Sequence, residues 1–232
     1  IRLSLVGSEM CIRDRNKNTF EFEFVALMAS LMSIVALSID ALLPALPQIG
    51  HDLGVVNLNN NQLLITMIFL GIGLGQLLFG PLSDSFGRKP IVFIGFGVFI
   101  IASIICITTK SFEMMIFGRI LQGIGLASPR TLCIAIVRDL YSGDYMAKIV
   151  SIVVMVFILV PVIAPTLGQF LINYYDWESI FYVNIIYSTL IMIWFWYRQK
   201  ESLPKEKRIP LSSHLFIDGT REFLKYKDAI GF

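Results

Sequence analysis

Hydrophobic positions occur along this chain in six long blocks, separated by short polar segments. Each block reaches the roughly 20 residues that a helix needs to cross the hydrocarbon core of a bilayer. None shows the every-second-residue alternation of a lipid-facing strand, so we predict helices and an all-α membrane fold, with a six-helix transmembrane bundle over residues 16–197. The predicted spans, numbered one to six, are Phe24–Ile49, Leu63–Ser83, Ile91–Thr109, Met114–Val137, Ile149–Tyr175 and Ser179–Tyr197.

The composition strengthens the membrane assignment. Of the 232 residues 56% are hydrophobic and only 16% are charged, and the mean hydropathy is +0.72. These values are far from those of a soluble domain. We therefore predict an integral membrane protein whose surroundings are the lipid bilayer, and we expect no nucleic-acid partner.

Motifs typical of enzymes are weak in this chain. His51 and His214 both lie outside the predicted spans, so an intramembrane Ser/His protease has no histidine at membrane depth. Cys106 and Cys133 stand alone in different spans, without the paired spacing of a metal or redox site. The segment Gly71–Gly75 suggests a nucleotide loop, but no strand precedes it, and close helix packing through small residues explains it better. We predict a protein that is not an enzyme and binds no metal.

The distribution of basic residues predicts the orientation. Lys110 is alone in the connections on one side, whereas the connections on the other side hold Arg88, Lys89, Arg138, Lys148, Arg198, Lys200, Lys205, Lys207 and Arg208. Because lysine and arginine concentrate on the cytoplasmic side, both termini should be cytoplasmic. Trp194, Trp196 and Tyr197 then lie at the inner interface as aromatic anchors.

Both ends of the sequence are unusual. Residues 4–15 resemble the translation of a sequencing-library adapter, and we interpret residues 1–15 as an artefact rather than as an amphipathic arm, the alternative reading. Residues 198–232 are predicted to form a cytoplasmic central linker followed by the truncated start of a seventh span. We expect the chain to be a piece of a longer protein.

The connection between spans two and three, Gly80–Pro90, carries a carboxylate, two glycines and two cations. If span two stays helical to its end, Gly80, Asp84 and Gly87 share one face, and Arg88 follows Asp84 by one turn. The glycines would let a neighbouring helix approach, and the Asp84–Arg88 pair would form a latch that is strong in one packing and broken in another. A solvated loop with a positive-inside pair fits the same spacing.

Three charges interrupt the spans: Asp40, Arg119 and Arg130. A carboxylate at membrane depth costs on the order of 2.5 to 3.5 kcal/mol, so Asp40 should face a polar cavity rather than lipid. There it could hold a proton at one stage and a cationic substrate at another, which is the simplest form of antiport. Alternatively, Asp40 lies near the outer end of span one, reaches water and caps the break at residues 44–47.

The two arginines of span four also have two readings each. Arg119 stays charged at any relevant pH and either snorkels to the outer interface or faces a cavity. Gln122 lies one turn away on the same side and could share that cavity. Arg130 returns to nearly the same helical face as Arg119, and it is equally suited to reaching the inner interface and to binding a ligand.

Span five contains two prolines one turn apart. Pro161 and Pro165 each remove a backbone hydrogen bond, which predicts a bend or hinge. The freed carbonyls should face neighbouring helices, because lipid cannot satisfy them. Gly168 continues this face, and we expect it to pack against a span outside this chain.

Several of these segments resemble motifs of the major facilitator superfamily. Gly80–Pro90, with the sequence GPLSDSFGRKP, is similar to the superfamily's G-x-x-x-D-x-x-G-R-[KR] signature after the second span. Arg119–Gly125 resembles its R-x-x-Q-G-x-G motif, and Pro161–Gly168 resembles the proline/glycine motif of its antiporters. With Ser38–Pro47 and Arg138–Asp139, the likeness extends over about residues 20–232 and points to twelve-span drug:proton antiporters of the bicyclomycin-resistance type.

This resemblance implies a fold and a mechanism. The bundle would be the amino-terminal half of a major-facilitator fold, in which two six-helix bundles rock around a central site. The implied function is proton-coupled efflux of small cationic or amphipathic molecules across the bacterial inner membrane, with the proton gradient in place of a cofactor and with a missing carboxy-terminal half as partner. The alternatives are a metabolite or sugar transporter of the same superfamily and a non-transporting membrane scaffold.

The resemblance also suggests roles for individual residues. Arg119 would be a cavity counter-charge that modulates Asp40. At the inner surface, a gating latch would break for inward opening; its members are Gly80, Asp84, Gly87, Arg88, Lys89, Arg138 and Asp139.

Overall fold

The computed structural model describes residues 22–55 and 57–209. In these ranges it contains long helices and short 3-10 turns: α1 (22–40), a turn at Leu43–Ala45, α2 (Leu46–Asp52), a turn at Leu58–Gln62, α3 (Leu63–Phe86), α4 (Arg88–Thr108), α5 (Phe112–Leu140), α6 (Gly143–Tyr174), α7 (Glu178–Arg198) and a turn at Lys205–Lys207. The adapter-like residues 4–15 and the end of the linker, residues 210–232, lie outside the described part.

Six segments of this structure are long and apolar enough to cross a membrane. Their order agrees with the predicted spans, which confirms the all-α fold. Most helices run beyond the predicted apolar blocks; α6, for example, begins at Gly143 rather than at residue 149. A helix satisfies its own backbone hydrogen bonds, so it can continue into the polar interface with charged side chains on its surface.

Span one differs from a single continuous helix. α1 ends at Asp40, a 3-10 turn follows, and α2 completes the span. Pro44 and Pro47 are the second residues of these two short elements, in the first turn, where a missing N–H costs little. The break leaves carbonyl oxygens at the end of α1 without helical partners.

Helix α5 is the centre of the bundle, and small residues let α3 approach it. A Cβ atom on Gly123 would overlap the carbonyl oxygen of Ile68, and one on Gly75 would lie 2.6 Å from the Cβ of Ala127. Gly71 faces Gly123 across the same seam. Small residues that bring helix backbones together are typical of membrane helix pairs. The packing expected for Gly71–Gly75 is therefore present.

Helix α4 packs on another side of α5 in the same way. A Cβ atom on Gly125 would lie 2.6 Å from the amide nitrogen of Phe99. The hydroxyl of Ser128 donates to the carbonyl oxygen of Ile91 at 2.8 Å, although both residues lie within helices. α5 is thus enclosed by close backbone contacts with both α3 and α4.

Helix α6 packs against the break in span one. It runs through Pro161 and Pro165 without interruption. A Cβ atom on Gly168 would overlap the carbonyl oxygen of Ala41 and would lie 3.1 Å from the ring of Pro44. The expectation that Gly168 packs against a span outside this chain is therefore not met, because the irregular turn after α1 already occupies that face.

Contacts between distant residues show which connections meet at each end of the bundle. At one end, which we call the latch end, the α3–α4 connection meets the end of α5 and the residues after α7. At the opposite end, the indole Nε1 of Trp177 donates to Asp52 Oδ2 at 3.0 Å and joins the α6–α7 connection to α2.

Candidate functional site

An arginine at the latch end is the centre of an ion-pair cluster. The guanidinium of Arg88 donates from Nε to Asp139 Oδ2 at 3.0 Å, and its Nη1 lies 2.6 Å from Asp84 Oδ1. Nη1 also donates to the hydroxyl of Ser83 at 2.6 Å. The side chain of Arg88 is only 6% exposed, compared with 15% for Asp139 and 43% for Asp84. The cluster links α3, α4 and α5 through one buried cation.

Local sequence explains why these groups meet. α3 stays helical through Phe86, which places Asp84 four residues before Arg88. Gly87 then adopts φ = +104°, a conformation that side chains disfavour, and α4 begins at the next residue. Gly80 has no neighbour within 4 Å of the position of a Cβ atom. Gly80 therefore does not mediate the close helix approach that was expected of it, and Gly87 supplies the backbone conformation that ends α3 and lets α4 begin.

Residues after α7 form part of the same site. Glu201 accepts from the backbone amide of Arg88 at 2.9 Å through Oε1, and from that of Lys89 at 3.1 Å through Oε2. These amides lack helical partners, and a carboxylate at a helix N-terminus is favourable. Sequence reasoning missed Glu201. An acidic residue within the basic segment that follows span six was the signal available.

Two further contacts hold the linker on the cluster. The hydroxyl of Ser202 donates to Asp139 Oδ2 at 3.3 Å, and the amide of Ile209 donates to the carbonyl oxygen of Asp84 at 3.1 Å. Residues 201–209 therefore contact both acidic residues that bind Arg88, Asp139 through its carboxylate and Asp84 through its backbone. We call residues 201–209 the strap.

Two predicted latch residues have other surroundings. Arg138 is exposed and has no hydrogen bond or ion pair with any residue the structure describes, so the expectation that it joins the cluster is not met. Consecutive helical residues point about 100° apart, and Asp139 takes the inward position. Lys89 turns towards α7, where its Nζ donates to the carbonyl oxygen of Trp196 at 3.0 Å.

A second polar group is buried near the opposite end of the bundle. Arg119 is fully buried, about 10 Å along α5 from its start at 1.5 Å per residue. Its Nε donates to the carbonyl oxygen of Leu64 at 3.2 Å, and Nη1 and Nη2 each donate to that of Ser38 at 3.4 Å. Ser38 precedes the break in span one, which leaves its carbonyl available. Snorkelling to the interface is excluded by this burial.

Gln122 connects Arg119 to α4. Its Oε1 accepts from Arg119 Nη1 at 2.9 Å, and its Nε2 donates to the hydroxyl of Ser103 at 2.7 Å. Ser103 in turn donates to the carbonyl oxygen of Phe99 at 2.8 Å. The structure thus brings the predicted pair Arg119 and Gln122 together, and it adds Ser38 and Ser103. The signal for Ser103 was a hydroxyl in the middle of a strongly apolar span.

The described residues place no carboxylate within ion-pair distance of Arg119. Asp40 is the last residue of α1 and is half-buried, and no hydrogen bond or ion pair joins it to any residue between 22 and 209 that the structure describes. It therefore does not cap the break that follows it. Arg130 is also half-buried and, by the same comparison, unpaired. Asp40 on α1 and Arg130 on α5 are therefore the two charged residues at membrane depth that have no partner among the described residues.

Within the described ranges, no group of three or more His, Cys, Asp or Glu side chains is close enough to hold a metal ion. The buried polar side chains form two groups, one around Arg119 inside the bundle and one around Arg88 at the latch end. Six membrane-length helices with such interior charges define a polytopic membrane protein.

The chain belongs to the Major Facilitator Superfamily, whose family model matches residues 28–229. The resemblance inferred from the sequence motifs is therefore confirmed. The solved structures that it resembles include the human organic anion transporter MFSD10, with a TM-score of 0.67 and 22% identity over 85% of this chain and 53% of that one. Another is a peptide transporter, POT, with a TM-score of 0.68 and 15% identity over 90% of this chain and 44% of that one. At these identities the likeness shows the fold alone.

Curated relatives are closer in sequence. A bicyclomycin resistance protein homolog of Haemophilus influenzae is 31% identical over 94% of this chain and 54% of its own length. An uncharacterized transporter of Bacillus subtilis, YdgK, is 31% identical over 90% of this chain and 52% of its own. The multidrug resistance protein MdtL of Klebsiella pneumoniae is 33% identical over 68% of this chain and 40% of its own. The chain spans about half the length of the curated relatives that it matches.

Proposed function

We propose that this chain supplies the amino-terminal six-helix half of a proton-coupled exporter of small cationic or amphipathic molecules in the bacterial inner membrane. The observation that carries the proposal is the carboxylate of Asp40, which is half-buried at membrane depth and has no partner among the described residues. The names of two relatives, a bicyclomycin resistance homolog and a multidrug resistance protein, support drugs as the substrate class.

Asp40 is the proposed exchange site. A carboxylate at membrane depth is costly when it faces lipid, so its exposed part should face a water-filled passage that the second half of the transporter completes. Its oxygen atoms can accept a proton or bind a cationic group, and the arrival of one displaces the other. Arg119, held by three neutral oxygens, binds the carbonyl oxygen of Ser38 just before the break and so positions Asp40.

The latch end is the proposed gate. Arg88 joins α3 and α5 in the arrangement seen here, and opening of this end requires the Arg88 ion pairs to rearrange. The lysine and arginine residues of the connections at this end support a cytoplasmic location for it and for both termini. Pro161 and Pro165 would supply the hinge in α6, while neither a metal nor an organic cofactor takes part.

The test is proton-driven dye efflux, measured as dye uptake into inverted vesicles that carry the protein expressed from its complete gene. Asp40→Asn should abolish efflux driven by the proton gradient, because an amide cannot exchange a proton. Asp176→Asn, an exposed acid in the α6–α7 connection, is the matched control and should leave efflux unchanged. Full efflux with Asp40→Asn would remove this residue from the mechanism. Uptake of a metabolite or sugar without dye efflux would favour the alternative transporter.

A further inference from the structure

We propose that a groove between α4 and α7 at the latch end binds one anionic phospholipid, with its phosphate at Lys89 and an acyl chain along an aromatic wall. The proposal depends on the membrane location of the bundle and not on the proposed export function. Binding to purified protein can therefore succeed or fail independently of transport.

The groove is an open cavity of about 390 Å³ lined by Phe93, Met192, Ile193, Trp196 and Tyr197. Phe93 packs edge-on against Trp196, with ring centroids 5.3 Å apart and an interplanar angle of 70°. Trp196 is 61% exposed and Tyr197 is 78% exposed, so the wall faces the surroundings of the bundle. Because both helices cross the membrane, these surroundings are lipid, and an open apolar groove there fits an acyl chain.

Lys89 lies beside Trp196, one of the residues that line this groove. Its Nζ lies 5.3 Å from the centre of the Trp196 ring and donates to the Trp196 carbonyl oxygen at 3.0 Å. Over residues 22–55 and 57–209, no carboxylate lies within ion-pair distance of Nζ. An ammonium group has three donors, so two remain for a ligand. The contact with Trp196 fixes the side chain at the level of the groove.

The charge arrangement favours an anionic lipid. The backbone amides at the start of α4 are already bound by Glu201, so the ammonium group of Lys89 beside Trp196 is the donor that remains near the groove. Tryptophan and tyrosine mark the headgroup level of a membrane, which puts Nζ at the depth of lipid phosphates. A zwitterionic headgroup offers a phosphate together with its own cation, whereas phosphatidylglycerol offers net negative charge. One lysine near an anionic surface contributes about fivefold in affinity.

The experiment is native mass spectrometry of the purified 232-residue chain in detergent, titrated with phosphatidylglycerol and with phosphatidylcholine of the same acyl chains. We expect the first bound lipid to favour phosphatidylglycerol by about fivefold. Lys89→Gln should abolish this preference, and Lys89→Arg, which keeps the charge, should preserve it. Lys148→Gln removes an exposed lysine of α6 and should leave the preference intact.

A second variant separates the headgroup from the acyl contact. Trp196→Ala should weaken the binding of both lipids, because the aromatic wall of the groove is lost. Equal affinity of the original chain for the two lipids would overturn the proposal. So would an equal loss of preference in Lys89→Gln and Lys148→Gln, which would indicate unspecific attraction to positive charge. If Lys89→Gln does not fold, the comparison of Lys89→Arg with the original chain decides whether a cation at this position is sufficient.

Discussion

Replacement of Arg88 by glutamine tests whether the cluster at the latch end is held by one buried cation. The change leaves Asp139, whose side chain is 15% exposed, without its partner, and it leaves Asp84, at 43%, largely hydrated. Loss of one partner from a buried ion pair costs about 3–5 kcal/mol, whereas an exposed pair contributes about 1 kcal/mol or less. We therefore expect Arg88→Gln to lower the free energy of unfolding by about 3 kcal/mol, mainly through Asp139.

Double-mutant cycles in detergent, measured by reversible unfolding, separate the two pairs. The coupling energy between Arg88 and Asp139, measured with Asp139→Asn, should be about 2 kcal/mol, and that between Arg88 and Asp84 should stay below about 1 kcal/mol. Arg88→Lys should recover only part of the stability, because an ammonium group cannot reproduce the guanidinium contacts with two carboxylates and Ser83. Lys89→Gln, which removes the neighbouring cation, should cost less than about 1 kcal/mol.

Equal coupling energies for the two carboxylates would refute this reasoning, because burial would then not decide the strength of the pairs. A loss of stability in Lys89→Gln as large as that in Arg88→Gln would also refute it, because either cation of this connection would then stabilise the latch end equally.

Four further substitutions test packing, hydrogen bonding and helix capping. Gly168→Ala should lower the free energy of unfolding by about 1–3 kcal/mol, because its Cβ would overlap the carbonyl oxygen of Ala41. The control Gly73→Ala has open space around the new Cβ and should be neutral or slightly stabilising in the same unfolding measurement. Ser103→Ala should cost about 1–3 kcal/mol in thermal unfolding, because it leaves the buried amide of Gln122 without an acceptor. Glu201→Ala should raise hydrogen exchange at the first amides of α4 without affecting the start of α5, and unchanged exchange would show that the strap does not cap this helix.

Much of the fold followed from the sequence. The apolar blocks are long enough for only one kind of regular structure in a bilayer, so the helices and their order were predictable. The pair Asp84 and Arg88 was also predictable, because a spacing of four residues brings side chains together within or beside one helix. The hydrogen bond between Arg119 and Gln122 was predictable for the same reason, since the two residues lie about one helical turn apart.

Contacts between residues far apart in sequence were not predictable in this way. Glu201 caps α4 across more than one hundred residues of chain, and Gly168 meets the turn after α1 rather than a helix outside this chain. The family resemblance implied that Arg138 joins the latch together with Asp139, but the rotation of α5 turns it outward.

The sequence by itself therefore determined that the chain is a bundle of membrane-crossing helices with a charged latch motif and three charges at membrane depth. The tertiary structure alone decided which of those charged side chains have partners and which groups those partners are. Helical periodicity specifies neighbours within about one turn, whereas the partners of Arg119 and Asp139 depend on how the glycine seams set the distance and rotation of whole helices. The same packing leaves Asp40 without a partner among the described residues, and it encloses Arg119 among carbonyl oxygens.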